Sequence, residues 1–364
     1  MHKCPATVFP YSLIVLLAVI ILLVAGCASA ATSPPTAPPA PSPTPTPTLG
    51  LVFATPIATD TPVSAAPDLI LSPAPTSPNP APAAANARRI DRTLNILLLG
   101  ADRRSSKAKI WRTDTIMVVM VDREAKEVAV VSVPRDTYIT IPGYGKQRIN
   151  VVDYFGEAGV VKIKGGGPAL LKKVFWQNFR VRIDHYVRID LQGFARVVDI
   201  LGGVDVEITC PHTVTWGNEK IHFKRGKQHL SGKELIIYVR ARRESSDIDR
   251  ARRQQRAILA MRDRARELNL LPRLPALYNA MRDSVQTDLP LFDIIALARL
   301  GLDIPADRVH GRVISYPLVR GTVTSRGESV LVPDLPAIRK LFEQAFEQPP
   351  LLKATEKGIN CEEE

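Results

Sequence analysis

A chain of 364 residues, 45% hydrophobic and 23% charged, has room for one large domain with a sizeable core plus appendages, which excludes a wholly disordered protein. Its four cysteines show no CxxC or Cys/His spacing, which excludes a disulfide framework and a zinc site. Lys plus Arg outnumber Asp plus Glu by 48 to 36, and beyond residue 87 the balance reaches +13. Such a surface suits an anionic partner: nucleic acid, phospholipid head groups or a phosphorylated glycan.

The N-terminus separates these options. Lys3 is followed by no charge until Asp60, and Ser12 to Ala25 is almost wholly apolar. Extended to Ala31, the run is long enough for a bilayer, which needs ~20 residues, and it also suits a secretory signal. The string Val24-Ala25-Gly26-Cys27 resembles a bacterial lipobox, in which Cys27 is the lipidation candidate. Residues 1–30 are therefore read as a signal anchor or a lipoprotein signal. Either places the rest outside the cytoplasm, tethered to the cell membrane. Residues 31–90 form a Pro/Ala/Thr-rich disordered linker, with 16 of the 31 prolines lying between Ala31 and Ala87. At ~3.1 Å per residue in polyproline II, this spacer reaches on the order of 100 Å.

The folded part is expected over residues 91–348, with a loose tail at 349–364. It opens with three apolar runs of strand length, Leu94–Gly100, Thr115–Asp122 and Val128–Val133, joined by short or polar connections. Read as an antiparallel meander, they deliver Asp102, Arg103, Arg104, Arg112, Asp114, Arg135 and Asp136 to one rim of a sheet. Two carboxylates and several guanidinium groups on one rim point to a metal and an anion. Ile139–Ile141 is expected as an edge strand, and Val151–Gly159 as a helix. Gly165-Gly166-Gly167-Pro168 should break the chain before a helix over Ala169–Asn178. A strand at Ile183–Ile189, a helix at Leu191–Leu201 ended by Gly202-Gly203, and a strand at Val204–Thr209 follow. Helices alternating with strands in this way predict a three-layer α/β/α single domain around a mixed central sheet.

Lys220–His229 reads as a hairpin, and Ser231 as the N-cap of a helix to Arg240. In the next helix Asp247, Arg250 and Gln254 are spaced three and four apart and share one face near its N-terminus. Helix N-termini attract phosphate, and guanidinium groups bind it bidentately. Arg103, Arg243, Arg252, Arg253 and Arg256 are expected to be solvated. Arg148 and Lys146 fit either acceptor binding or surface charge, and His185 and Tyr186 fit packing. Val285, Leu289 and Leu291–Leu300 are expected to be helical, and Val309–Tyr316 a strand. Cys210 and Cys361 are expected as free thiols, although an oxidising compartment permits a bond between them.

The pieces Asn95–Asp102, Arg112-Thr113-Asp114, Val133-Pro134-Arg135-Asp136, Ile183–Tyr186, Val198–Val204, Tyr238–Arg242 and Arg250–Gln255 resemble, in order and spacing, the LytR–CpsA–Psr family of cell-envelope glycopolymer–peptidoglycan ligases. The resemblance implies a membrane-anchored extracytoplasmic phosphotransferase. Such an enzyme moves a glycopolymer from a polyprenyl-pyrophosphate carrier to a peptidoglycan hydroxyl, forming a phosphodiester with Mg²⁺ or Mn²⁺ present. Carried over by position, Asp102 and Asp114 are the metal carboxylates. Arg112, Arg135, Arg240, Arg242, Arg250 and Gln254 form the pyrophosphate clamp, with Asp136 and Asp247 supporting. Asp102, Arg135, Arg240 and Arg242 are the catalytic set, and Asp102 is the candidate acceptor of the hydroxyl proton. Family members hold the lipid tail in an apolar tunnel between sheet and helices. The chain departs from the family at Val151–Asp153, at Phe155-Gly156-Glu157 and at Val160–Gly167, which bears on the lip of the pocket and on glycan or acceptor choice.

Two other classes use the same basic pocket: a polyprenyl-pyrophosphate phosphatase, and a non-enzymatic binder of polyprenyl phosphates or envelope glycans. The binder has no need of both Asp102 and Asp114. A nucleic-acid regulator is excluded by the export segment and by the lack of a helix-turn-helix, zinc or RNA-binding aromatic pattern.

Overall fold

The computed structural model describes residues 89–102, 112–241, 247–268 and 285–351. The expected membrane segment, the linker to residue 88, Cys27, Arg103, Arg104, Arg242, Arg243, Cys361 and the tail beyond residue 351 lie outside the described residues. Among those described, no helix is long and apolar enough to cross a membrane.

In chain order the elements are α1 (Arg89–Arg92), β1 (Leu94–Ala101), β2 (Thr113–Asp122), β3 (Glu127–Ser132), β4 (Tyr138–Ile141), β5 (Gly145–Arg148), α2 (Val152–Glu157), α3 (Gly166–Phe179), β6 (His185–Asp190), α4 (Leu191–Ile200), β7 (Val204–Ile208), β8 (His212–Trp216), β9 (Glu219–Phe223), β10 (Gly226–Leu230), α5 (Gly232–Arg240), α6 (Asp247–Glu267), β11 (Val285–Thr287), α7 (Leu291–Asp303), β12 (Val309–Val313), β13 (Val319–Val323), β14 (Ser329–Pro333) and α8 (Leu335–Glu343). Six strands form the central sheet in the order β11-β6-β1-β2-β3-β12. The expected antiparallel meander β1-β2-β3 is its middle, while β6 joins β1 and β12 joins β3 in parallel, so the sheet is mixed.

The near-continuous apolar runs are explained by burial of both faces. Ile96, Leu98, Met117, Val119, Val128 and Val130 point into a core shared with α4 to α7. Leu97, Leu99, Ile116, Val118, Met120 and Val131 point into a second core with α2, α3 and α8. The strand period of two thus divides one hydrophobic stretch between two helix layers, and the expected α/β/α architecture is the one observed.

Several local expectations are corrected. Gly165 takes a left-handed φ of 95° and is the N-cap of α3, so Gly166, Gly167 and Pro168 form the first turn of the helix. A proline is tolerated there because its missing N–H has no intrahelical partner to lose. β4 pairs with β5 in a separate ribbon and is not an edge strand of the main sheet. The hairpin expected at Lys220–His229 is two nested ones, β8 pairing with β9 inside a β7–β10 pair. The turn Gly217-Asn218 closes the inner hairpin, with Gly217 at φ 61°. Val285 lies in a strand at the sheet edge, paired with Ile189, not in a helix. The tail is docked at its start: Leu351 is 1% exposed and packs on Gly311, whose N–H donates to the Pro349 carbonyl at 3.1 Å. Cys210 is disulfide-bonded, correcting the free-thiol expectation, and no other cysteine is among the described residues. Pairing depends on Cα separation, which chain spacing does not reveal.

α5 carries Arg240 and begins with the expected cap. Ser231 and Glu234 form a reciprocal capping box. At its first residue, a Cβ on Gly232 would lie 2.3 Å from the Ala195 carbonyl oxygen of α4 and 2.8 Å from Asp199 Oδ1. The Gly232 N–H already donates to Asp199 Oδ1 at 2.8 Å. Helix propensity alone favours alanine by ~1 kcal/mol, but the methyl group has nowhere to go. Gly232→Ala is expected to destabilise by about 1–3 kcal/mol. Thermal unfolding checks this, and a raised melting temperature would contradict the tight α4–α5 crossing.

Candidate functional site

The site forms where β1 and β3 end and β2 begins, against the facing termini of α5 and α6. β1 and β2 pair through Gly100–Thr115 and Ala101–Thr113, so Asp114 is the extra residue of a β-bulge. A bulge re-aims its side chain, and Asp114 lines a cavity together with Asp102, Arg240, Arg250 and Gln254. The Asp102 N–H donates to the Arg112 carbonyl at 2.8 Å, joining the two strand ends.

Charge is densely compensated here. Arg135 donates through Nη1 to Asp114 Oδ1 at 3.2 Å, and through Nε to Asp247 Oδ2 at 3.1 Å and Asp136 Oδ2 at 3.3 Å. Its side chain is 15% exposed. Burial works against its charge, but Asp114, Asp247 and Asp136 hold its pKa above the ordinary arginine value. Arg250 Nη1 lies 3.0 Å from Asp247 Oδ1, and Arg240 Nη2 donates to Asp102 Oδ2 at 3.2 Å. Asp136 and Asp247 share a hydrogen bond. Burial and that bond push the Asp136 carboxyl up. Burial acts on Asp247 in the same sense, but the hydrogen bond from Asp136 and the Arg250 and Arg135 guanidinium groups hold it below the usual range. Arg148 extends the network, 3.6 Å from Asp136 Oδ1 and 3.4 Å from Glu328 Oε1, so it is part of the rim and not loose surface charge.

Among the described residues, Asp102 Oδ1 is buried with no hydrogen-bond partner, as are Thr113 Oγ1 and Arg148 Nε nearby. An orphaned carboxylate oxygen in a cavity that also holds Asp114 fits a hard cation, which takes one or two protein carboxylates and completes its shell with phosphate oxygens and water. Among the described residues no group of three or more His, Cys, Asp or Glu side chains could hold a metal.

The polar cavity opens onto an apolar one, and the two share Gly100, Thr115, Leu191, Val239 and Gln254. The apolar part runs on to Leu98, Ile189, Phe194, Ala257 and Ile258 between the sheet and α4–α6. A ligand that fills both has a multiply charged anionic head and an apolar tail.

Most of the expected residues converge: Asp102, Asp114, Arg135, Asp136, Arg240, Asp247, Arg250 and Gln254. Arg112 is exposed beside Asp102 and does not line the cavity, and Arg242 lies outside the described residues. Arg256 and Arg253 are not solvated. Arg256 is 7% exposed and donates to Thr209 Oγ1 at 2.7 Å, while Arg253 donates to the Ala241 carbonyl at 2.6 Å, just past the end of α5. An arginine-rich helix face looks solvated until the β7–β10 layer is known to cover it. One residue was missed altogether: Trp216, at the inner hairpin tip, whose ring centroid lies 5.4 Å from the Arg240 guanidinium carbon. Its only signal in the chain is a large aromatic beside the turn-forming Gly217-Asn218.

Fold and site together define an α/β/α protein with a guanidinium-rich anion site that opens onto an apolar cavity. A sequence model described as the LytR_cpsA_psr family matches residues 73–347, and the chain belongs to that family. It is 30% identical over 200 residues to the polyisoprenyl-teichoic acid–peptidoglycan teichoic acid transferase TagU of Oceanobacillus iheyensis, covering 54% of this chain and 59% of that protein. It is 33% identical over 201 residues to the regulatory protein MsrR of Staphylococcus aureus, covering 55% of this chain and 58% of that one. The matches therefore span somewhat under two thirds of either relative. The crystal structure of Bacillus subtilis TagV superposes with a TM-score of 0.58 at 24% identity, over 71% of this chain and 98% of that one, and shares the fold.

Proposed function

We propose that this protein is a membrane-tethered extracytoplasmic phosphotransferase that moves a glycopolymer from a polyprenyl-pyrophosphate carrier to a peptidoglycan hydroxyl. The observation that carries this reading is the junction of the two cavities. Arg240 and Arg250 line a space suited to a pyrophosphate, with Arg135 behind it on Asp114 and Asp247, and the apolar cavity leading from it suits a prenyl chain. The teichoic acid transferase name of the relative from Oceanobacillus iheyensis supports the same substrate class. The apolar run at Ser12–Ala31, the Pro-rich spacer and the disulfide at Cys210 support an exported, oxidising setting.

In this reading the acceptor oxygen bonds to the glycan-bearing phosphorus, and the bond from that phosphorus to the prenyl-phosphate oxygen breaks. The proton leaves the acceptor hydroxyl, and polyprenyl phosphate departs. Such transfers need charge neutralisation and alignment more than covalent help. Arg240 and Arg250 bind phosphate oxygens and remain charged at any working pH. Arg135 is held in place by three carboxylates, and Gln254 offers its amide where head meets tail. Asp102 and Asp114 would hold Mg²⁺ or Mn²⁺, which supplies further neutralisation of the leaving phosphate. Oδ1 of Asp102 is the free oxygen for that cation or for the acceptor proton.

The test incubates the full chain with a polyprenyl-pyrophosphate-linked oligosaccharide, Mg²⁺ or Mn²⁺ and an uncrosslinked glycan strand, read by mass spectrometry. A phosphodiester-linked product from the wild type, absent with Arg240→Ala, is expected. Free glycan phosphate without ligated product would make the protein a hydrolase. Lipid binding without turnover would make it a binder.

A further inference from the structure

We propose that Trp216 is a stacking platform for the first sugar ring of the donor, the hexopyranose bonded directly to the pyrophosphate. This deepens the reading of the arginine cluster as a pyrophosphate clamp and rests on it. The hairpin β8–β9 is rooted by aromatic contacts. The His212 ring stacks on Phe223 with centroids 5.0 Å apart, and both meet Tyr238 of α5 at 5.6 and 5.5 Å. Cross-strand pairs place His212 with Phe223, Val214 with Ile221 and Trp216 with Glu219. Side chains two residues apart share a face, so the face that anchors the hairpin continues outward to Trp216. The tip is tied down again by Lys233 Nζ on Glu219 Oε2 at 2.7 Å.

Anchoring is therefore complete without Trp216, which is 38% exposed and has its ring set against Arg240. Arg240 also reaches Asp102 and lines the polar cavity, so the ring lies beside a guanidinium group of that lining. The sugar of a lipid-linked glycan is bonded to the distal phosphate. Once a guanidinium group holds that phosphate, the first pyranose lies within one ring's width of it. The 5.4 Å between Arg240 and the Trp216 centroid is within that reach. An exposed indole offers an apolar face with a polar rim, which matches the C–H face and hydroxyl edge of an uncharged hexopyranose. Asn218 is exposed at the same tip and supplies a polar partner.

The test measures binding of the full chain to two lipids, a polyprenyl pyrophosphate and the same lipid carrying one N-acetylhexosamine, for wild type, Trp216→Leu, Trp216→Phe and Arg240→Ala. Trp216→Leu is expected to weaken the sugar-bearing lipid about tenfold and the sugarless one by no more than about threefold, with Trp216→Phe recovering most of the loss. Equal losses for both lipids would mean that Trp216 only holds Arg240, and no loss for either would leave the ring without a role. Both outcomes overturn the proposal. The clamp reading fails separately, if the wild type binds neither lipid or binds them without needing Arg240.

Discussion

Arg135→Ala is expected to damage both stability and turnover, because one guanidinium group serves Asp114, Asp136 and Asp247. Removing one partner of a buried ion pair costs about 3–5 kcal/mol. Here the carboxylate side chains are 20–26% exposed, so partial screening reduces the expected loss to about 2–4 kcal/mol. The sign of the pH dependence follows. Without Arg135 the three carboxylates bind protons more readily in the folded state, so the deficit is largest near neutral pH. It shrinks as pH falls through the carboxylate range and protonation relieves the repulsion. Chemical denaturation at pH 7 and pH 4 checks this, and a deficit equal at both would show that packing, not charge, was lost. Turnover should fall by about 10²–10³, the usual effect of removing a preorganised charge donor. Arg135→Lys keeps the charge but not the planar fork that spans Asp114 and Asp247, so it should restore stability more than turnover.

Asp102→Asn is expected to separate chemistry from folding. The Arg240–Asp102 pair has side chains 30% and 18% exposed, so weakening it costs at most about 1 kcal/mol. Turnover should fall by about 10²–10³, because the orphaned Oδ1 loses the charge that would hold a cation. Chelation should abolish the wild-type reaction, and Mg²⁺ or Mn²⁺ should restore it. The variant should need a higher concentration of either ion, or fail to recover. Unchanged turnover and ion dependence in Asp102→Asn would remove Asp102 from the cation site and leave its free oxygen unexplained.

Much of this was legible in the chain because the deciding interactions are local. The apolar runs Leu94–Gly100, Thr115–Asp122 and Val128–Val133 carry their own strand length, and their short or polar connections favour the antiparallel meander that gathers Asp102, Asp114 and Arg135. Ser231 with Glu234, and Gly202-Gly203 after α4, mark helix ends within a few residues of where they act. The i, i+3, i+7 spacing of Asp247, Arg250 and Gln254 puts them on one face of α6 whatever packs against it.

What only the tertiary structure decided are pairings between segments far apart in the chain. β10 joins β7 across the inner hairpin, and β11 reaches β6 nearly a hundred residues away, where a three-residue strand has no pattern of its own. The β7–β10 layer turns Arg256 from an apparently solvated residue into a buried one. The site's finer electrostatics are likewise tertiary. The bulge that re-aims Asp114, the meeting of Asp136 and Asp247 on Arg135, and Trp216 beside Arg240 depend on separations of a few ångströms between residues distant in the chain. Residue types determine which charges and apolar runs exist. Only the packed layers determine which charges share a dielectric and a cavity, because Coulomb and hydrogen-bond energies depend on distance in space and burial, not on order along the chain.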